Sequence, residues 1–231
     1  MRPFLARPSS RFRLRSRLHA ELFVAVVVVL WVAAWILGCA LTSKAELIGT
    51  RYFEPEVPPS APSPDVAAIS ARAPVELQLG RVTASAYLKS RMVYRASSVE
   101  LGAYEDRQWT ERPEEYLRRA VSNALFAAHG IGHAVSGDSP TLDVELAAFE
   151  EVRVGDRSSG RVTIRYALRD DHSMWMADSI TVDRPTRGGS QEPEEVVAAI
   201  SAALANATAA LADKVDARLK ETPKQAPSTA N

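Results

Sequence analysis

Leu142-Asp143-Val144-Glu145-Leu146-Ala147-Ala148 and Val162-Thr163-Ile164-Arg165-Tyr166-Ala167-Leu168 each put apolar side chains at every second position, with Gly155 to Gly160 between them. A period of two sends alternate side chains to opposite faces. Each run therefore reads as a strand with one buried face, and the glycine-bounded segment as the turn joining them. Arg169-Asp170-Asp171-His172-Ser173 has the composition of a further hairpin turn, and a weaker strand follows across Met174–Val182.

Upstream the texture is similar. Val75, Leu77 and Leu79 alternate up to Gly80-Arg81, which reads as a half-buried strand ending there. Arg91-Met92-Val93-Tyr94-Arg95 and Ser98-Val99-Glu100-Leu101 read as the two short strands of a hairpin. Pro113 opens a helix, with Thr110 as its cap and Glu114 and Glu115 at its positive end. Leu117, Val121, Ala124, Leu125 and Ala128 recur at spacings of three and four until Gly130 stops the pattern. After Gly188-Gly189-Ser190, a second helix carries the stripe Val196, Ile200, Leu204, Ala207, Leu211, Val215, Leu219. The order β-β-β-α-β-β-β-α predicts an α+β fold: a mixed or antiparallel sheet with two helices packed on one face.

The chain's net charge of zero conceals an asymmetry. Of its 28 basic residues six lie in residues 1–38, beside one of its 28 acidic residues, which leaves 22 against 27 for the remainder. That part is mildly acidic and lacks the basic field that supplies nucleic-acid affinity. From Leu22 to Ser43 there is no charge at all. A run of about 20 apolar residues is long enough to cross a ~30 Å hydrocarbon layer, and the arginines before it hold the N-terminus on the cytoplasmic side. The single cysteine, Cys39, closes this run in Ile36-Leu37-Gly38-Cys39. Two readings compete: a lipoprotein signal peptide cleaved before a lipidated Cys39, or an uncleaved signal anchor with an incidental thiol. The first fits the bacterial lipobox at Ile36, Gly38 and Cys39, with Leu37 where a small residue is usual. Ala40 rather than Asp in the next position points to the outer membrane, facing the periplasm; the anchor reading leaves the chain in the inner membrane.

Four segments follow from this: residues 1–38 for targeting, 39–72 as a Pro-rich linker, 73–219 as the α+β domain, and 220–231 as a polar tail without order. Glu54–Pro64 has five prolines in eleven residues and reads as a semi-extended spacer, with Tyr52-Phe53 before it as a short strand or an aromatic anchor.

The search for catalytic chemistry finds little. His129 and His133 stand four apart, a spacing for shared metal ligation, but Gly130-Ile131-Gly132 between them breaks a helix. There is no Gly-x-Ser-x-Gly motif, no phosphate-binding glycine loop and no nucleophilic cysteine pattern. The reading is of a non-enzyme without cofactor or metal, against a rival hydrolase built on His129, His133 and the acids near Asp138. Tyr87, Tyr94, Tyr104, Trp109 and Tyr116 crowd into thirty residues. They either fill a core between sheet and helix or form a partner surface.

The stretch Tyr87–Arg95, then Leu101-Gly102-Ala103-Tyr104, then Arg107-Gln108-Trp109-Thr110-Glu111-Arg112-Pro113, resembles the ABC-type transport auxiliary lipoproteins of the paraquat-inducible protein C type. Leu142–Phe149, the Val162–Leu168 strand and Val196–Leu204 are similar too. The resemblance implies a periplasmic lipoprotein on the outer membrane. It would work beside an Mce-domain protein and an inner-membrane ABC transporter in moving phospholipid or other hydrophobic compounds, perform no hydrolysis itself, and assemble as a homo-oligomer. Lipidation would fall on Cys39, and the partner-binding or core block on Tyr94, Arg95, Tyr104 and Trp109. A structural tether for envelope assembly or secretion is the alternative role.

Overall fold

The computed structural model describes residues 25–28, 31, 49–57, 76–135 and 137–221. It divides into two units, Met1–Ile48 and Gly49–Asn231. Ala25–Val28 in the first are helical. Cys39 and its lipobox, most of the Pro-rich spacer (58–75) and the tail beyond Glu221 lie outside the described residues.

In the second unit the elements run β1 (Arg51–Phe53), β2 (Glu76–Ala84), β3 (Arg91–Arg95), β4 (Leu101–Trp109), α1 (Pro113–Ser122), β5 (Gly132–His133), β6 (Thr141–Val154), β7 (Arg157–Arg169), β8 (Met174–Pro185) and α2 (Pro193–Glu221). A π-helical turn, Asn123–Ala128, prolongs α1. All eight strands join one mixed sheet. The hairpin β6–β7 is its spine, paired antiparallel from Thr141↔Arg169 to Val154↔Arg157, and β8 continues it as an antiparallel edge. The other edge of β6 is shared. Its first half pairs in parallel with β2 and its last part with β3. β4 lies antiparallel to β3, and β1 parallel to β4.

Both helices cover one face. Leu142, Val144, Leu146, Val162, Ile164 and Leu168 are buried there, against Leu117, Val121 and Leu125 from α1 and its continuation and Ile200, Leu204, Leu211 and Val215 from α2. Among the described residues α2 is the one helix long and apolar enough to cross a membrane, with mean hydropathy 1.6, yet its apolar stripe is spent on the sheet. Gly160 sets how closely α2 approaches: a Cβ there would lie 2.4 Å from the Ile200 amide nitrogen and 2.6 Å from the Ala199 carbonyl carbon. Only glycine leaves room for helix backbone against strand backbone.

Several expectations are corrected. β2 does not end at Gly80-Arg81 but runs to Ala84 through a bulge, in which Gly80 and Arg81 together oppose Asp143. The Asp143 carboxylate accepts the Arg81 amide at 2.8 Å and closes over Gly80. The β3–β4 hairpin turns through Ser97–Glu100, and its second strand starts at Leu101, where it was expected to end. Arg112, not Thr110, precedes α1 as its N-cap, without a side-chain cap; the Thr110 hydroxyl bonds the Tyr116 hydroxyl at 2.8 Å instead. β5 adds to the expected order, and of the two readings of Tyr52-Phe53 the short strand is the one that forms, as β1. β1 draws part of the 39–72 segment into the sheet, and beyond it the Glu56 amide donates to the Ser201 hydroxyl of α2 at 3.0 Å.

Candidate functional site

One extra residue organises the most polar part of the domain. Leu146 pairs with Ile164 and Ala148 with Thr163, so Ala147 is a bulge that shifts the alternation of β6 by one. Leu142, Val144 and Leu146 face the helices, but after the bulge the helix-facing residues are Phe149 and Glu151, opposite Val162 and Gly160. Ala148 and Glu150 turn to the open face, which corrects the expected run of four inward residues ending at Ala148. Glu150 and Glu151 are thus neighbours on opposite faces, 1% and 0% exposed. A buried carboxylate is costly unless paired and hydrogen-bonded, and each has its own arginine.

On the open face Arg95, from the end of β3, grips Glu150 with a two-pronged fork: Nε to Oε1 at 2.6 Å and Nη2 to Oε2 at 3.0 Å. The Tyr87 hydroxyl donates to the Ala147 carbonyl at 2.7 Å. Burial, reinforced by the Glu150 carboxylate, raises the pKa of that phenol. Around them is a shallow cavity of about 380 Å³ lined by Tyr87, Arg95, Ser98, Glu150, Arg161 and Arg165. Arg161 is itself forked onto Asp183 of β8, at 2.7 and 2.8 Å.

On the helix-facing side Glu151 accepts the hydroxyls of Tyr104 and Ser158 and the Arg153 Nε, the last at 3.2 Å. The Tyr104 oxygen in turn accepts Arg153 Nη2. Burial, with the Glu151 carboxylate beside it, pushes the Tyr104 phenol up to about 12. It stays protonated at neutral pH and acts as a donor. The Tyr94 and Tyr104 rings pack at 5.1 Å between centroids, tilted by 59°. The Arg153 guanidinium lies 4.1 Å from the Tyr94 centroid and that of Arg107 4.0 Å from the Tyr104 centroid. Arg107 Nε and Nη1 are buried without a hydrogen bond; the cation is met by the face of the Tyr104 ring and by the Asp106 carboxylate, 3.9 Å from Nε.

Trp109 lies in the core, 2% exposed, with Phe149 at 4.9 Å and Tyr116 at 6.1 Å between ring centroids. The four residues singled out in the sequence therefore divide three ways: Arg95 with Glu150, Tyr94 and Tyr104 with Arg153 and Arg107, and Trp109 in the apolar centre. Glu150, Glu151, Arg153 and Ser158 were not found by sequence reasoning. Their signal was present: Phe149-Glu150-Glu151 breaks the alternation of an otherwise regular strand, as a bulge does.

His129 and His133 engage separate partners. His129 Nδ1 donates to the Ala124 carbonyl at 2.8 Å and Nε2 lies 2.9 Å from the Asp213 carboxylate, while the His133 ring packs against Phe126 at 4.4 Å between centroids, tilted by 35°. Among the described residues no three of His, Cys, Asp and Glu come together as a metal site would need. Asp170 works as the turn residue it was expected to be. Its Oδ1 accepts the amides of His172 and Ser173 at 2.8 and 2.6 Å, and its Oδ2 the Trp175 indole N–H at 2.9 Å. These bonds hold its carboxyl down at about 2.

A family model for the ABC-type transport auxiliary lipoprotein component matches residues 58–212. No curated protein matches the chain. A solved protein of Xanthomonas campestris, assigned to a family of unknown function (DUF330), is 21% identical with a TM-score of 0.63, over 74% of this chain and 98% of its own. A second, uncharacterised protein is 16% identical with a TM-score of 0.56, over 72% and 99%. At these identities the likeness concerns the fold.

Proposed function

Since the chain belongs to the ABC-type transport auxiliary lipoprotein family, we propose that it is the envelope-anchored lipoprotein subunit of an Mce-type lipid transport system. In this reading it is held by lipid on Cys39 at the outer membrane, and it acts by docking to an Mce-domain partner rather than by catalysis. The observation that carries the docking role is where the charged groups of the family-like block are spent. Arg95 is forked onto Glu150, and Arg153 and Tyr104 close around Glu151. Paired in this way, the Glu151 group ties the strands together on the helix-facing side, while the Arg95–Glu150 pair and its shallow cavity lie on the open face, which is the surface offered to another protein. The 39–72 and 73–219 division belongs to the same proposal in altered form: β1 and the residues up to Val57 are counted with the domain.

Two measurements test it. Mass spectrometry of the mature N-terminus is expected to find a diacylglyceryl-modified Cys39 with residues 1–38 removed, and Cys39→Ala to leave the chain unprocessed. Mild-detergent affinity purification of the full chain is expected to recover an Mce-domain protein. Recovery of none, together with a hydrolytic activity lost in His129→Ala/His133→Ala, would transfer the protein to the rival enzyme class.

A further inference from the structure

β8 is an open edge. It pairs with β7 on one side, and no other strand among the described residues takes its second side. Thr186, just beyond β8, donates its amide to the directly opposite Ser158 carbonyl at 3.0 Å. In an antiparallel ladder such hydrogen-bonded pairs alternate with pairs that turn their backbone groups away. Arg184, Val182, Ile180 and Asp178 therefore spend theirs on β7, and Asp183, Thr181, Ser179 and Ala177 turn theirs outward. The Ser179 amide shows the direction, since it donates to the Asp178 carboxylate at 2.7 Å. All four outward residues are exposed. Edge strands are ordinarily blunted by lysine, proline, a bulge or short length. β8 runs twelve residues without lysine, its one proline is the last of them, and its irregular pairing is confined to Met174–Met176 at the start.

We propose that a second copy of this chain takes this edge, antiparallel about a two-fold axis at Thr181, so that two sheets join into one. In that register β8 is complementary to itself. Thr181 meets Thr181 of the second copy, and Ser179 meets Asp183, Ile180 meets Val182 and Asp178 meets Arg184, each of these twice. The outward amides and carbonyls then face one another. Asp178 and Arg184 share the helix side of the sheet with Ile180 and Val182. Asp178 is held there by Lys214 at 2.7 Å, and Arg184 has no acid partner among the described residues. Pairing passes the Ser179 amide to the Asp183 carbonyl of the second copy and frees the Asp178 oxygen that capped it for Arg184 of that copy. A slip of two residues sets Asp178 against Val182 in one direction and Arg184 against Ile180 in the other, which fixes the register. The interface is isologous, so it closes at two copies. It uses neither the open-face cavity nor Cys39, and its failure would leave the docking reading as it stands.

The test measures the protein mass of the full chain in mild detergent by light scattering, and the expected result is two copies. Thr181→Pro removes an outward amide and no bond to β7, and Arg184→Asp sets acid against acid. Each is expected to halve the mass with an unchanged circular dichroism spectrum. Thr181→Cys is expected to give a disulfide-linked dimer on mild oxidation, because Cα atoms of a hydrogen-bonded pair lie about 5.5 Å apart, within disulfide reach. Ala177→Cys, about 27 Å from its counterpart in this register, is expected to give no more than the unsubstituted chain, which serves as the blank for Cys39. A monomeric unsubstituted chain overturns the proposal. An oligomer that survives both Thr181→Pro and Arg184→Asp, or that links through Ala177→Cys as readily as through Thr181→Cys, also overturns it, by assigning association to another surface or register. If Thr181→Pro loses its fold, Arg184→Asp and the two cysteine variants decide.

Discussion

Replacing Trp109 with alanine removes the largest ring at the junction of β4, β6 and α1. An indole buries on the order of 200 Å² of surface on folding, and Trp109 keeps only 2% of its own exposed. At about 25 cal/mol per Å² this is roughly 5 kcal/mol. A compact unfolded chain reduces it to about 3–4 kcal/mol. Two ring contacts, with Phe149 at 4.9 Å and Tyr116 at 6.1 Å, restore about 1 kcal/mol. The expected loss is therefore about 4 kcal/mol, a large part of the ~5–15 kcal/mol total of a domain this size. Urea unfolding followed by far-ultraviolet circular dichroism is the assay, because it does not rely on the deleted fluorophore. With a slope of about 2 kcal/mol per molar, the midpoint falls by roughly 2 M. Trp109→Phe, which refills most of the space, is expected to lose about 1–2 kcal/mol. A loss below about 1.5 kcal/mol for the alanine variant, with partner binding abolished instead, would refute the placement of Trp109 in the core and make it an interface residue.

Gly160→Ala is expected to cost about 1–3 kcal/mol, because its methyl meets helix backbone that moves only with α2 as a whole; an unchanged melting temperature would contradict that close approach. Glu151→Gln leaves Arg153 without its anion, and since Arg153 is partly solvated the loss is set at about 2–3 kcal/mol, below the usual range for a fully buried pair. Thermal unfolding compared with Glu151→Ala reads it, and a neutral result would show that the network contributes nothing to stability. The Asp170 carboxyl, held down at about 2 by the amides and indole of its turn, favours the folded state above the unfolded value of about 3.9 and loses that contribution as pH falls toward 2. Carbon-13 NMR of the labelled carboxyl should show a midpoint near 2; a midpoint at the unfolded value would mean the turn bonds do not form in solution.

The sequence alone determined what periodicity and composition encode over long segments. The strand alternation of Leu142–Leu146 and Val162–Leu168, the helical spacing of Leu117–Leu125 and Val196–Leu219, and the apolar run ending at Cys39 are each local, repeated signals, and with them came the α+β class. Tertiary structure alone decided the rest. β5 has two residues, too few for any period, and β1 three, so that the choice between strand and anchor at Tyr52-Phe53 fell to the edge that β4 offers. The parallel pairings of β2 and β3 with β6 join residues more than fifty positions apart, a choice made by which faces need burying. The bulge at Ala147 reversed the sides of everything after it, so the inward Glu151, the outward Glu150 and the arginines that neutralise them became visible only in three dimensions. A one-residue shift in a strand exchanges its two faces, and the sequence contains no mark of that shift except two adjacent acids in a strand that should alternate.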